Sequence, residues 1–193
     1  MPPALQLLPL YTMSIQKSLA LRGGAEVRID ERAFYQHLTH TMDLEESKVF
    51  VYPRLFSLHD MPPEAGMPSD EVEDESQVVG PFKIRLPRIL NLSHERFNTD
   101  GIYLLENGFD IFLWIGRAVP PNTLGSLFGV PTLDGVDLTM LDIKYENGEF
   151  ASRVSAVIVG LRQNRCRYMQ MRIIREGDGQ AEAYLARYLV EDR

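Results

Sequence analysis

Residues 100–116 read DGIYLLENGFDIFLWIG, two strongly apolar runs separated by Asn107-Gly108. Asn-Gly favours the paired positive φ angles of a type I′ turn, whose twist suits antiparallel strands, so the stretch predicts a hairpin. Its arms are 102–105 and 109–115. In the second arm Phe109, Ile111, Leu113 and Ile115 fall on one face, Phe112 and Trp114 on the other. Large apolar side chains on both faces predict a strand covered above and below, and a sheet so covered needs helices on both sides. The fold class is α/β (α+β). Nothing in the hairpin is chemically reactive.

Working toward the C-terminus, Pro120-Pro121 and TLGSLFGVPTLDG leave room for a short helical turn, and 136–143 for a strand or irregular apolar cover. Asn147-Gly148 marks another turn. Phe150, Val154, Val157, Ile158 and Leu161 recur at helical spacing, so a long helix over 150–165 covers one face of the sheet. YMQMRIIR at 168–175 alternates as a strand, and a turn at 176–179 leads to a last helix with Tyr184, Leu185, Tyr188 and Leu189 as its apolar face.

Toward the N-terminus, Ser93 is a helix N-cap, with Leu92 positioned to staple onto Phe97. Residues 82–86 predict a short strand. KVFVYPRLFSL at 48–58 alternates as a strand, with Pro53 implying an edge or a break. Asp30 is an N-cap for a helix through Thr41 that aligns Phe34, Leu38 and Met42. The apolar opening becomes helical after Pro9 and stops at Gly23-Gly24, and its Leu7, Leu10, Met13 and Leu19 are expected to pack against the last helix.

The 193 residues, 45% hydrophobic, suit one domain or a domain with a smaller appendage. The net charge is −7, but residues 61–80 hold six acids and no Lys or Arg, and without those acids the balance is −1. The remainder gives no electrostatic basis for nucleic-acid binding. Cys166 is the only cysteine, which rules out a disulfide within the chain or a multi-thiolate zinc site and suits the cytosol. No apolar run is long enough for a transmembrane span, and the opening lacks the basic leading region of a signal peptide.

His37 and His40 lie three apart without a third ligand and read as solvated helix surface. The acidic stretch 61–80, rich in Pro, is expected to be one disordered loop; it lacks the Asp/Asn alternation and closing Glu of a calcium loop. The arginines at 153, 162, 165, 167, 172 and 175 read as a solvated or protein-facing surface. The Gly-rich stretch after the hairpin lacks a phosphate-loop Lys. Asn91-Leu92-Ser93 matches a glycosylation sequon that a cytosolic chain would not use. No catalytic, cofactor-binding or metal-ligating residue is nominated, because no nucleophile, base and orienting group come together.

The hairpin resembles the gelsolin-like repeat, a mixed sheet between a long and a short helix. More specifically, the ordered blocks PPALQLLPLY, YPRLFSLHD, SHERFNTDGIYLLENGFDIFLWIG, SLFGV, RYMQMRIIREGD and YLVEDR are similar to the C-terminal part of the cargo-adaptor subunit of the COPII coat. That resemblance implies a gelsolin-like domain over 43–176, inserted in a mostly helical domain whose first half ends in 1–42 and which returns at 177–193. It implies a non-enzymatic role in cargo selection and vesicle formation for transport from the endoplasmic reticulum to the Golgi, at the cytosolic face of the membrane. The implied partners are cargo proteins and the GTPase-activating subunit of the inner coat. A structural zinc is implied for the full-length family member, outside this chain. Two alternatives are that GTPase-activating subunit itself and a calcium-regulated actin-binding gelsolin module. The latter uses an acidic residue in the long helix, whereas after Glu149 no Asp or Glu occurs through Arg165.

Overall fold

The computed structural model describes residues 5–22, 27–69 and 75–191. Three helices come first: α1 (Leu8–Lys17), α2 (Ile29–Thr41) and α3 (Leu44–Val51). Strand β1 (Arg54–Ser57) follows, then the short strands β2 (Val78–Val79), β3 (Ile84–Arg85) and β4 (Ile89–Leu90). The central hairpin is β5 (Ile102–Glu106) and β6 (Asp110–Ile115). After it come α4 (Pro121–Phe128), α5 (Glu149–Gln163), β7 (Gln170–Arg175) and α6 (Gly179–Ala186). No helix among the described residues is long and apolar enough to cross a membrane.

The main sheet has the order β4-β1-β5-β6-β7. All neighbours are antiparallel except β6 and β7, which run parallel and so need the long crossover that α4 and α5 supply. Ile111, Leu113 and Ile115 enter one core with Val154, Val157 and Leu161 of α5 and Leu124, Leu127 and Phe128 of α4. Phe112 and Trp114 enter the other, with Leu185 of α6, Leu189, Val190 and Leu92. The two-faced reading of β6 therefore holds, and α6 is the second cover. Asp178 caps α6 by accepting the Ala181 N–H, and the Trp114 indole N–H donates to Glu182 at 3.0 Å. On the first face, the β2–β3 hairpin lies against Gly160 of α5, where an added Cβ would stand 2.8 Å from Val79 Cγ1.

Several expectations are corrected. The hairpin turn is one residue later than an Asn-Gly type I′ turn: Asn107 pairs with Asp110, and Gly108 takes φ +85° at the first central position, the type II′ arrangement. The Asn107 side chain accepts the N–H groups of Phe109 and Asp110 at 2.9 and 2.8 Å, a local bond available when Asn is at the turn's first position. Residues 48–51, read as strand, finish α3. Asp43 caps that helix by accepting the Glu46 N–H at 2.7 Å, Glu45 and Glu46 favour its positive end, and β1 starts only after Pro53. β1 is an inner strand between β4 and β5, not an edge.

Asp30 sits inside the first turn of α2, whose cap position is Arg28. The turn after Pro120 is a two-turn helix, closed by Gly129 in the left-handed conformation. Gly23 and Gly24, expected to stop the opening helix, lie outside the described residues. The acidic stretch is not one disordered loop. Ala65 is fully buried, the Arg153 guanidinium donates to the carbonyls of Pro62 and Ala65, and Gly66 N–H donates to Arg85 at 2.8 Å. Five of its six acids lie at 70–75, while Ala65, Gly66 and Val79 pack toward α5; residues 70–74 are outside the described set.

The chain ends meet differently from the expectation. Lys17 donates to the Val190 carbonyl at 2.7 Å, and Glu191 accepts from the Tyr52 hydroxyl and the Leu92 N–H. The apolar face of α6 goes to the sheet instead, because Phe112 and Ile174 offer it an apolar floor. Leu7, Leu8, Ile15 and Leu21 are exposed.

Candidate binding surface

Phe109, at the hairpin tip, is where the sheet meets the helical layer. It packs edge-on against Phe50 of α3 and Tyr35 of α2, with ring centroids 5.4 and 6.3 Å away, and Arg167 lies over its other side at 4.6 Å. Burial, with the nearby Tyr184 and Glu31, pushes the Tyr35 phenol up to about 12. Beside this tip is the most heavily charged buried group of the fold. Glu106 is fully buried, and its Oε2 accepts Nε and Nη2 of Arg54 at 2.9 and 2.6 Å. Its Oε1 accepts Nε and Nη2 of Arg165 at 3.0 and 2.6 Å, and the Arg165 side chain is only 2% exposed. Each guanidinium offers two donors to one oxygen, so one carboxylate ties β5 to β1 and to the loop after α5.

The arginines taken from the sequence as one surface are thus dispersed. Arg165 is buried on Glu106, Arg153 holds the Pro62–Ala65 turn, and Arg162 donates to the Met169 carbonyl at 3.0 Å. Arg175 pairs with Asp134 at 2.7 Å, and Arg172 lies 3.5 Å from Asp110. His37 and His40 are exposed on α2, as expected of solvated surface. Among the described residues no group of three His, Cys, Asp or Glu is placed to hold a metal ion.

One constellation that sequence reading missed is Ser57, His59 and Asp60 at the end of β1. Ser57 Oγ lies 3.1 Å from His59 Nδ1 but donates to Asp60, and the Ile102 N–H points at the same His59 nitrogen from 3.2 Å. A nucleophile must deliver its proton to the imidazole, and the imidazole must be oriented by the acid. Here the serine hydroxyl donates to the acid and the ring accepts from backbone, so the group fastens β1 to β5. Its signal was the polar run SLHD at a strand end.

Two grooves among the described residues are lined by the helical layer and by β7. One groove, about 480 Å³, lies among the first helices and is lined by Ile15, Ala20, Leu21, Met42, Phe50 and Val51. The other, about 590 Å³, follows β7 between Leu138–Thr139 and α6, with Arg172, Tyr184 and Arg187 along it.

A mixed five-stranded sheet between α5 and a short second helix, beside the layer of α1 to α3, is the arrangement that the resemblance to gelsolin-like repeats leads one to expect. Residues 83–147 match the model of the gelsolin repeat, and residues 1–49 match that of the Sec23/Sec24 helical domain. Over its full length the chain is similar to Sec24 proteins. It is 33% identical to human protein transport protein Sec24C and 35% identical to SEC24 of Pyricularia oryzae, covering 16% and 20% of those chains. The crystal structure of the human COPII-coat protein Sec24c superposes on the whole chain with a TM-score of 0.81 at 32% identity, using 23% of that structure. The chain is thus similar along its whole length to a segment of Sec24 proteins, shares the fold of the matching part of human Sec24c, and spans about a fifth of the relatives it matches.

Proposed function

We propose that this chain serves as a non-catalytic structural segment of a COPII cargo adaptor, working in cargo selection and vesicle formation between the endoplasmic reticulum and the Golgi. In that setting it lies at the cytosolic face of the membrane, held there by the assembled coat, with the GTPase-activating subunit and cargo proteins as partners of the whole adaptor. The observation that carries this reading is that sequence and fold agree along all of the chain with one kind of transport protein. The buried Glu106 pairs and the aromatic contact at the hairpin tip support it physically. The pairs tie β5 to β1 and to the loop after α5, and the aromatic contact sets the hairpin tip against α2 and α3, as a scaffold needs.

The test is a segment exchange. Human Sec24C carrying these residues in place of its corresponding segment should bind the GTPase-activating subunit and support budding from endoplasmic-reticulum membranes. The isolated chain should bind that subunit far more weakly. A chimera that is stable and binds the subunit but forms no vesicles overturns the reading.

A further inference from the structure

Among the described residues no strand pairs with the outer edge of β7. The Glu176 N–H donates to the Ile115 carbonyl at 2.9 Å, continuing the parallel ladder. In such a ladder alternate residues bond to the neighbour, so Gln170, Arg172 and Ile174 turn their backbone groups toward β6, and Met171 and Ile173 turn theirs away. No backbone hydrogen bond from the 138–140 turn or from α6 reaches Met171 or Ile173 among the described residues. An unpaired edge is a template for a further strand unless proline, lysine, a bulge or a cover blocks it. The β7 sequence QMRIIR has neither proline nor lysine, and its charges are Arg172 and Arg175, of which Arg175 pairs with Asp134.

The groove is built around that edge. Leu138 and Thr139 stand on one side, Ala181, Tyr184 and Arg187 on the other, and β7 is the floor. On the first side Met171 and Ile173 extend the core that includes Leu138. On the second, Arg172 and Arg187 both lie over the Tyr184 ring, at 5.8 and 5.3 Å from its centre. The acids near them are engaged: Asp178 accepts the Ala181 N–H, and Asp110 is the carboxylate 3.5 Å from Arg172, whose side chain is still 49% exposed.

We propose that β7 accepts an extended peptide as a sixth strand of the sheet, and that this peptide alternates apolar and acidic residues. Met171 and Ile173 supply four outward backbone groups, enough to fix its register. Because strand side chains alternate, every second residue lies beside Leu138, Met171 and Ile173 and is apolar. The residues between them lie beside Arg172 and Arg187 and carry carboxylates, which is the complementarity that selects the partner.

The probe is a short fluorescent peptide alternating valine and glutamate, titrated into the 193-residue chain to about 1 mM. Anisotropy should report saturable binding, with amide shifts at Met171, Ile173 and their neighbours. The valine–lysine peptide should bind at least about tenfold more weakly, and methylating alternate peptide nitrogens should abolish binding. Arg172→Glu with Arg187→Glu should reverse the charge preference. If that variant melts early, Ala183→Glu, at an exposed groove position, should weaken binding of the glutamate peptide in a stable fold. Absence of binding, binding that survives nitrogen methylation, shifts located elsewhere, or a preference indifferent to these charges overturns the proposal. So does a second copy of the chain occupying the edge, seen as concentration-dependent dimerisation that excludes the peptide. A chimera active in budding but unable to bind the peptide leaves the coat role standing and removes this one.

Discussion

Replacing Glu106 with alanine leaves two guanidinium groups facing a cavity. Four charge-assisted N–H bonds end on that carboxylate, two from each arginine. Arg54, with 19% of its side chain exposed, can turn part of its head to water, but Arg165 at 2% cannot without moving the loop after α5. Removing one partner of a buried ionic group costs about 3–5 kcal/mol, because an uncompensated charge is left behind. For a chain of this size each kcal/mol moves the melting temperature by about 2–4 °C, so Glu106→Ala should melt roughly 6–20 °C lower. Arg54→Ala should cost less, about 1–3 kcal/mol, since Arg165 still holds the carboxylate. Exchanging all three for apolar residues, Arg54→Met, Glu106→Leu and Arg165→Met, should come within about 2 kcal/mol of the parent or exceed it. Urea unfolding followed by Trp114 fluorescence measures all three. The reasoning fails if Glu106→Ala lies within about 1 kcal/mol of the parent, or if the triple variant is as damaged as the single one.

Trp114 is the only tryptophan and is covered by α6. Truncation after Asp178 should therefore red-shift its emission and speed exchange in β6, while Glu182→Ala, which removes only the indole's acceptor, should cost about 1 kcal/mol in a urea melt. Gly160→Leu should cost about 1–3 kcal/mol and accelerate amide exchange at 78–85, because the new side chain takes the space of Val79. Burial first, then the neighbouring Tyr35 and Tyr184, raises the Tyr188 phenol, so the folded state keeps a proton that the unfolded chain releases near pH 10. Its contribution is complete below that pH and is lost as pH rises further. Alkaline melts should show stability falling from about pH 10 upward, and Tyr188→Phe should make the fall shallower.

The sequence was legible where one rule governed a segment. The 3.6-residue spacing from Phe150 to Leu161 located α5, and the alternation of Ile111, Phe112, Leu113 and Trp114 assigned both faces of β6 correctly. It misled where two rules competed. At 44–51 the Asp43 cap and its acidic first turn outweighed the strand-like alternation of KVFVY. At the hairpin the Asn107 side chain bonded its own turn, moving the turn on by one residue. Glu106 could not be recognised as buried from its place beside a turn, since its two arginines come from 52 and 59 residues away. The open edge of β7 was equally hidden, because it depends on strand order rather than on any residue in QMRIIR.

The contacts of Lys17 and Tyr52 with Val190 and Glu191 bear on how the chain is made. Tyr52 leaves the ribosome long before its partner Glu191 is synthesised. At about 5–20 residues per second the 139 residues between them take roughly 7–28 s. During that time α1 to α3 exist without their closing bonds, and the apolar side chains of Phe50 and Tyr35 wait for Phe109. The hairpin, whose strands are neighbours in sequence, can form as soon as it emerges, while the first helices must be kept from other chains until the last residues arrive. Folding of this segment is therefore set to begin in its middle and finish at its two ends together, with its earliest-made part the most dependent on protection.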